Sequence, residues 1–292
     1  MGKFLDSDNS KQSMCIKPEI ISLNDCLACS GCITSAESAE FNSDVSFVKD
    51  SSLTLSFIIS IQSKINLKQS YPEISYECFQ KNLVKFLKET FNVLLIVDTS
   101  YFRKSALSGL SSECPAVVLY IERVYPDLIK KLSTHKTFQQ MASSFILEST
   151  NNTDQKIVSV MQCYDKKDEI NRDKTKIDYF VGAKEFYNLI KDKFNPIENL
   201  QYELQPWERS YEQKIDEISG LENCINIFNK AKSHDVGSLE LRICKGGCYS
   251  GPALVQIQEQ LPITLNEESS YQFETLPRKF NIPKKRKFDV HW

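Results

Sequence analysis

The stretch LTLSFIISI (53–61) is apolar or β-branched at nearly every position, and a short run of that kind bounded by polar residues predicts a strand buried on both faces. NVLLIVDTS (92–100) has the same character. Between them, SYECFQKNLVKFLKETF (75–91) sets Phe79, Leu83, Phe86, Leu87 and Thr90 at helical spacing. CPAVVLYIERVYPDLIKKL (114–132) predicts a helix that opens at Pro115, where a missing N–H costs nothing, and breaks near Pro126. TFQQMASSFILEST (137–150) predicts a further helix, QKIVSVMQC (155–163) a strand ending at Cys163, and IDYFVGAKEFYNLIKDKF (177–194) a strand followed by a helix. LELRIC (239–244) reads as a strand ending at Cys244, and GPALVQIQEQL (251–261) as a helix.

Strands that alternate with helices predict an α/β fold, with largely parallel sheets flanked by helices. The pattern divides the chain into a polar, cysteine-rich segment (1–52), an α/β core (53–261) and an extended tail (262–292) with Pro262, Pro277 and Pro283. Residues 195–236 are polar and give no clear element beyond a Pro-Trp pair and a short helical pattern around LENCINIFNKA.

Composition narrows the function classes. With 292 residues, 41% hydrophobic and 25% charged, the chain can bury a sizeable core. A net charge of −2 gives no whole-molecule attraction to nucleic acid or to an anionic membrane. The N-terminus MGKFLDSDNSKQS lacks the apolar core of a secretory signal, and no apolar run approaches the roughly 18 residues of a spanning helix. The expectation is an intracellular chain that contacts neither membrane nor nucleic acid directly. In a reducing compartment its ten cysteines read as metal or redox groups, or as small buried residues, rather than as disulfides. Cys78 and Cys224, isolated in helical patterns, read as buried residues.

Cys26, Cys29 and Cys32 recur at three-residue intervals in NDCLACSGC. A C-x2-C-x2-C loop wraps three corners of a cuboidal iron–sulfur cluster, the fourth thiolate coming from elsewhere. Cys15, in MCIKP, is the candidate for that fourth position. Zinc is the alternative, but its usual second C-x2-C knuckle is missing. A second group is dispersed: Cys114 in SSECPAV, Cys163 in MQCYDKK, Cys244 and Cys248 in ELRICKGGCYSG. Most of these lie at a predicted strand end or helix start, where α/β folds build their sites. Gly246 and Gly247 would let the backbone approach a bulky cofactor. Lys166 and Lys167 could offset the negative charge of a thiolate-ligated cluster, although exposed lysines are the default expectation.

The segments SLNDCLACSGCITSAE, SSECPAVVLYIE, MQCYDKK and CKGGCYSG, with VDTSYFRKS and THKTFQQM, resemble in order the motifs of the iron-only hydrogenase-like family. The likeness is greatest to its eukaryotic branch, the cytosolic iron–sulfur protein assembly factors similar to the prelamin A recognition factor. The resemblance implies a hydrogenase-like core with a small N-terminal cluster-binding segment, and two 4Fe–4S clusters. Cys15, Cys26, Cys29 and Cys32 match the ligands of the first cluster, and Cys114, Cys163, Cys244 and Cys248 those of the second, buried one. Glu240 matches an acidic residue of the last motif. The resemblance further implies a non-catalytic cytoplasmic factor that links an upstream scaffold complex to a late targeting complex.

Departures from the hydrogenase pattern point the same way. Glu113 stands where hydrogenases carry a proton-transfer cysteine, Val117 replaces an aromatic residue, and Gly251-Pro252 is all that remains of a glycine run. An iron-only hydrogenase or related redox enzyme is the alternative. In the tail, Lys284 to Lys287 resemble a nuclear import signal, with a solvated tail as the plainer reading. Terminal Trp292 resembles the aromatic end by which cluster-assembly adaptors and clients dock on the targeting complex.

Overall fold

The computed structural model describes residues 43–105, 109–211 and 216–255. Four strands, β1 (Leu55–Ile59), β2 (Val93–Asp98), β3 (Lys156–Met161) and β4 (Tyr179–Gly182), form the main sheet. They run parallel in the order β2-β1-β3-β4. Every residue of central β1 is buried, which is why its sequence is apolar throughout rather than alternating. Phe57 and Ile59 face one core layer with Leu83, Leu87 and Phe186, while Ile58 faces a second layer with Val97, Met141 and Ile146.

The helices that cover the sheet are α1 (Ile61–Gln69), α2 (Tyr76–Thr90), α3 (Pro115–Val124), α4 (Phe138–Thr150), α5 (Asp165–Asp173), α6 (Ala183–Ile190) and α7 (Leu221–Ala231). The α/β class expected from the alternation is therefore what forms. A smaller parallel sheet joins β5 (Glu217–Ser219) to β6 (Glu240–Arg242). Leu110 extends it by bridging to Leu239 and to Leu132. Its own core packs Val117, Ile121, Phe228 and Leu241.

Three local expectations are corrected. The strand at 53–61 ends at Ile59, because Ser60 caps α1 by accepting a hydrogen bond from Ser63 N at 3.1 Å. A helix follows Cys163 where none was expected. Residues 251–255, expected to start a helix, form a turn, while 256–261 lie outside the described residues. The reason is that the backbone groups there are bound to the loop after β3 and to the first turn of α6. Ala253 N donates to Gln162 O at 3.1 Å, and its carbonyl accepts from Lys184 N at 2.9 Å.

The first described residues belong to the main core. Asp44 N donates to Phe180 O at 2.9 Å, and the buried Phe47 ring packs against Phe57, Phe91 and Tyr179. Cys15, Cys26, Cys29, Cys32, the basic run and Trp292 all lie outside the described residues. Among the described residues no helix is long and apolar enough to cross a membrane.

Candidate metal centre

The dispersed cysteines converge where the two sheets meet. Cys163 follows β3, Cys244 follows β6, and Cys248 sits in the short 3-10 helix Gly247–Ser250. Cys114 is the N-cap of α3, in extended conformation with Pro115 after it. All four thiols are free and half-buried. Gly246 and Gly247, at φ +80° and +66°, form the turn between Cys244 and Cys248. Two successive left-handed residues need glycine, so the pair serves the turn itself.

The thiols feel one another. Burial, then the Cys248 thiol, pushes Cys114 up to about 11. Cys163 is pushed well above the ordinary thiol range, by burial first and then by Asp165, Cys244, Cys114 and Cys248. Cys244 is raised by burial and by Cys114 and Cys248. In the metal-free chain these three groups therefore keep their protons, and a metal that binds them must displace the protons. Among the described residues no group of three or more His, Cys, Asp or Glu side chains is close enough to hold a single metal ion. The donor set is nonetheless all thiol, which suits soft iron–sulfur ligation. On that chemistry a cluster held by Cys114, Cys163, Cys244 and Cys248 fits, and it would supply electron storage or a transferable iron–sulfur unit.

Polar ties surround the thiols. Glu240, fully buried, accepts from Arg103 Nη2 at 3.1 and 3.0 Å and pairs with Arg242. The acidic position named by the family resemblance is thus a hub that fixes β6. Lys166, expected to be exposed by default, is 2% exposed. Its Nζ donates to Glu113 Oε1 at 2.7 Å, to Glu113 O at 2.7 Å and to Glu169 Oε2 at 2.8 Å. Burial opposes its charge, but those two carboxylates outweigh the burial and hold the ammonium above the usual lysine range. The other oxygen of Glu113, Oε2, accepts from Phe138 N at 2.9 Å. Both carboxylate oxygens of Glu113 are therefore engaged.

Arg103, Arg242 and Glu169 were not singled out from the sequence as site residues. Arg103 lay within VDTSYFRKS, where a buried arginine has no pattern that sets it apart from a surface one. Beside Gly182, Tyr164 OH donates to Glu185 Oε1 at 2.7 Å and Ser43 Oγ donates to Glu185 Oε2 at 3.1 Å. The chain N-terminal to the core thus joins the fold one residue from Cys163. Cys224, as expected, is buried; its thiol donates to Arg242 O at 3.4 Å, and burial and the nearby Cys114 push it up to about 12. Cys78 is only half-buried on α2.

A parallel α/β core with thiols gathered at its strand ends is a hydrogenase-like fold, and the comparisons agree. Residues 99–216 match the model for the iron only hydrogenase large subunit, C-terminal domain. An FeFe-hydrogenase HydA1 from Chlamydomonas reinhardtii superposes with a TM-score of 0.55 at 14% identity, covering 78% of this chain and 86% of that one, which shows the shared fold. The cytosolic Fe-S cluster assembly factor NAR1 of Encephalitozoon cuniculi is 33% identical over 315 aligned positions, 87% of this chain and 86% of the relative. That of Candida albicans is 34% identical over 206 positions, of which the chain covers only 34% of the relative's length. The chain belongs to the NAR1 family of cytosolic Fe-S cluster assembly factors.

Proposed function

We propose that this chain is a cytosolic iron–sulfur assembly factor that carries two 4Fe–4S clusters, without hydrogenase activity. Cys15, Cys26, Cys29 and Cys32, in the N-terminal segment (1–52), would hold one cluster. Cys114, Cys163, Cys244 and Cys248, in the core (53–261), would hold the other. The observation that carries the reading is the gathering of four free, mutually interacting thiols from three loops at the ends of two sheets. The name of the Encephalitozoon relative supports the assembly role. In that role the chain links an upstream scaffold complex to the late targeting complex in the cytoplasm, and Trp292 on the tail (262–292) is the docking residue for the latter. A nuclear fraction would require Lys284 to Lys287 to act as an import signal.

Two features argue against hydrogen turnover. Glu113, at the proton-relay position, has both carboxylate oxygens bound, to Lys166 and to Phe138 N. The space enclosed beside it by Arg103, Gln162, Lys166 and Arg242 amounts to about 10 Å³, room for roughly one water.

Iron and acid-labile sulfide per chain, after anaerobic purification, test the reading. About eight irons are expected, falling by about four in Cys29→Ala and again in Cys114→Ala. Stoichiometric zinc with little sulfide would end it. An infrared spectrum with carbonyl or cyanide bands would favour the enzyme instead. Deleting Trp292 should abolish pull-down of the targeting complex at unchanged iron content.

A further inference from the structure

Lys166 occupies an unusual position in the ring of polar ties around the thiols. It lies on the first turn of α5, three residues after Cys163, and its backbone N donates to Cys163 O at 3.3 Å. Its side chain turns away from solvent and reaches the residue directly before Cys114, binding both the carbonyl and the carboxylate of Glu113 at 2.7 Å. The third donor of the ammonium goes to Glu169 Oε2, one turn further along α5. All three N–H directions of a lysine are thus used, two of them on the loop of another ligand. The N-terminus of α4 closes the arrangement. Phe138 N donates to Glu113 Oε2 at 2.9 Å, and Gln139 Nε2 donates to Lys166 O at 3.1 Å.

We infer that Lys166 is a positioning residue: bridging Glu113 and Glu169, it clamps the loop of Cys114 to the loop of Cys163 and sets the relation of two ligands of the buried cluster. The inference rests on the proposed ligand set for that cluster. A simple counter-ion for cluster charge would be left with its positive charge free to face the thiols. Here two buried carboxylates, 8% and 3% exposed, match that charge and fix its direction. The clamp also gives Glu113 its role. The glutamate is the bracket to which the lysine fastens, so restoring a cysteine at position 113 would remove the bracket and leave a buried cation with one partner fewer.

The test uses the full chain, purified anaerobically, as wild type, Lys166→Met and the double variant Glu113→Gln/Lys166→Met. Each is also made in a Cys29→Ala background, so that the buried cluster is read alone. The measurements are the rate of iron loss to a chelator, the low-temperature EPR spectrum of the reduced cluster, and circular dichroism of the fold. Lys166→Met is expected to lose iron on the order of a hundredfold faster, from the loss of one partner of a buried pair. The double variant removes one of the two carboxylates that Lys166→Met leaves without their cation, which returns the local net charge to that of the wild type, and so should recover the wild-type fold. If the clamp sets ligand geometry, that variant still loses iron about tenfold or more faster than wild type and shows an altered EPR spectrum. A double variant with the wild-type rate and spectrum would overturn the inference, because charge balance alone would then account for Lys166. Failure of the underlying ligand set looks different: the wild-type chain in the Cys29→Ala background would itself hold no iron and sulfide.

Discussion

Replacing Gly251 with alanine tests whether the loops of Cys163 and Cys248 must touch for the site to form. Gly251 has φ −64° and ψ 147°, an extended conformation open to any residue, so the substitution adds no backbone strain. The obstacle is space alone. A Cβ at this position would overlap the carbonyl oxygen of Gln162, with the Gln162 carbonyl carbon at 3.1 Å and Cys248 O at 3.2 Å. These are backbone atoms of the loops of Cys163 and Cys248, so no side chain can swing aside, and the loops must part by roughly 1 Å. Overpacking of this kind costs about 1–3 kcal/mol. At about 2–4 °C per kcal/mol for a chain of this size, the melting temperature should fall by about 2–12 °C. Gly237→Ala is the control. Nothing lies within 4 Å of its added Cβ, but φ is +67°, so its cost of about 1–2 kcal/mol is conformational and remote from the thiols. Melting curves and iron per chain are measured for both. Comparable losses of stability are expected, with loss of iron only in Gly251→Ala. Full iron in Gly251→Ala, or equal iron loss in the two variants, would refute the claim that contact between these loops holds the ligands in place.

Three further outcomes follow from the described side chains. Lys64→Met should cost about 3–5 kcal/mol in urea unfolding, because Asp98, fully buried and 2.8 Å from Lys64 Nζ, loses its cation; a loss under about 1 kcal/mol would mean that the pair behaves as a surface one. Cys224→Ala should leave iron content unchanged where Cys114→Ala lowers it, since Cys224 is committed to Arg242 O; equal losses would add Cys224 to the ligand set. For Asp178, burial raises the carboxyl, but hydrogen bonds from Lys176, Ile157 N and Lys156 outweigh it and set the folded value below 3.8. A depressed carboxyl stabilises the fold above the unfolded value and loses that contribution as pH falls through the folded one. The stability gap between wild type and Asp178→Asn should therefore be widest near neutrality and narrow as the pH falls below 3.8, and a gap that is equal at neutral and at acid pH would contradict the assignment.

The elements read correctly from the sequence were those whose burial is apolar. β1, β2 and β3 announce themselves as continuous apolar runs, although β2, expected to be buried throughout, is an edge strand with Leu94 exposed and is buried only from Ile96 to Asp98; α2 carries its core face at helical spacing. The two helices missed after strands, α1 and α5, bury polar and charged residues as well: α1 buries Gln62, Ser63, Lys64 and Asn66 among Ile61, Ile65 and Leu67, so it shows no single apolar face. In α1 the fully buried Lys64 occupies a core position because Asp98 and Glu208 O receive it. In α5 the buried face is Asp165, Lys166, Glu169 and Ile170, so the sequence DKKDEINRD looks like a solvated loop. No hydrophobic period records a helix whose interior contacts are ion pairs. The same holds for the site. The thiols could be found from the chain alone, whereas Arg103, Glu169 and the buried state of Lys166 depend on partners far away in sequence.

The difference between the two thiol groups has a physical consequence. The first is local, three cysteines within seven residues, and a loop of that length can wrap a cluster with little help from a core. The second exists only once β3, β6, α3 and the turn at Gly246 have come together, so whatever orders those loops also orders the proposed ligands. What orders them is directional. Ala253 N meets Gln162 O, Lys166 meets Glu113, and Arg103 meets Glu240, each joining a cysteine-bearing strand or loop to another element. Apolar packing alone tolerates small slips of one surface past another, and a buried ion pair does not, because its energy falls away as the geometry is lost. Charge buried beside the thiols is costly in stability. In return it fixes the directions from which the four thiols approach one another, which the proposed cluster with four distinct corners would demand and a hydrophobic core by itself does not provide.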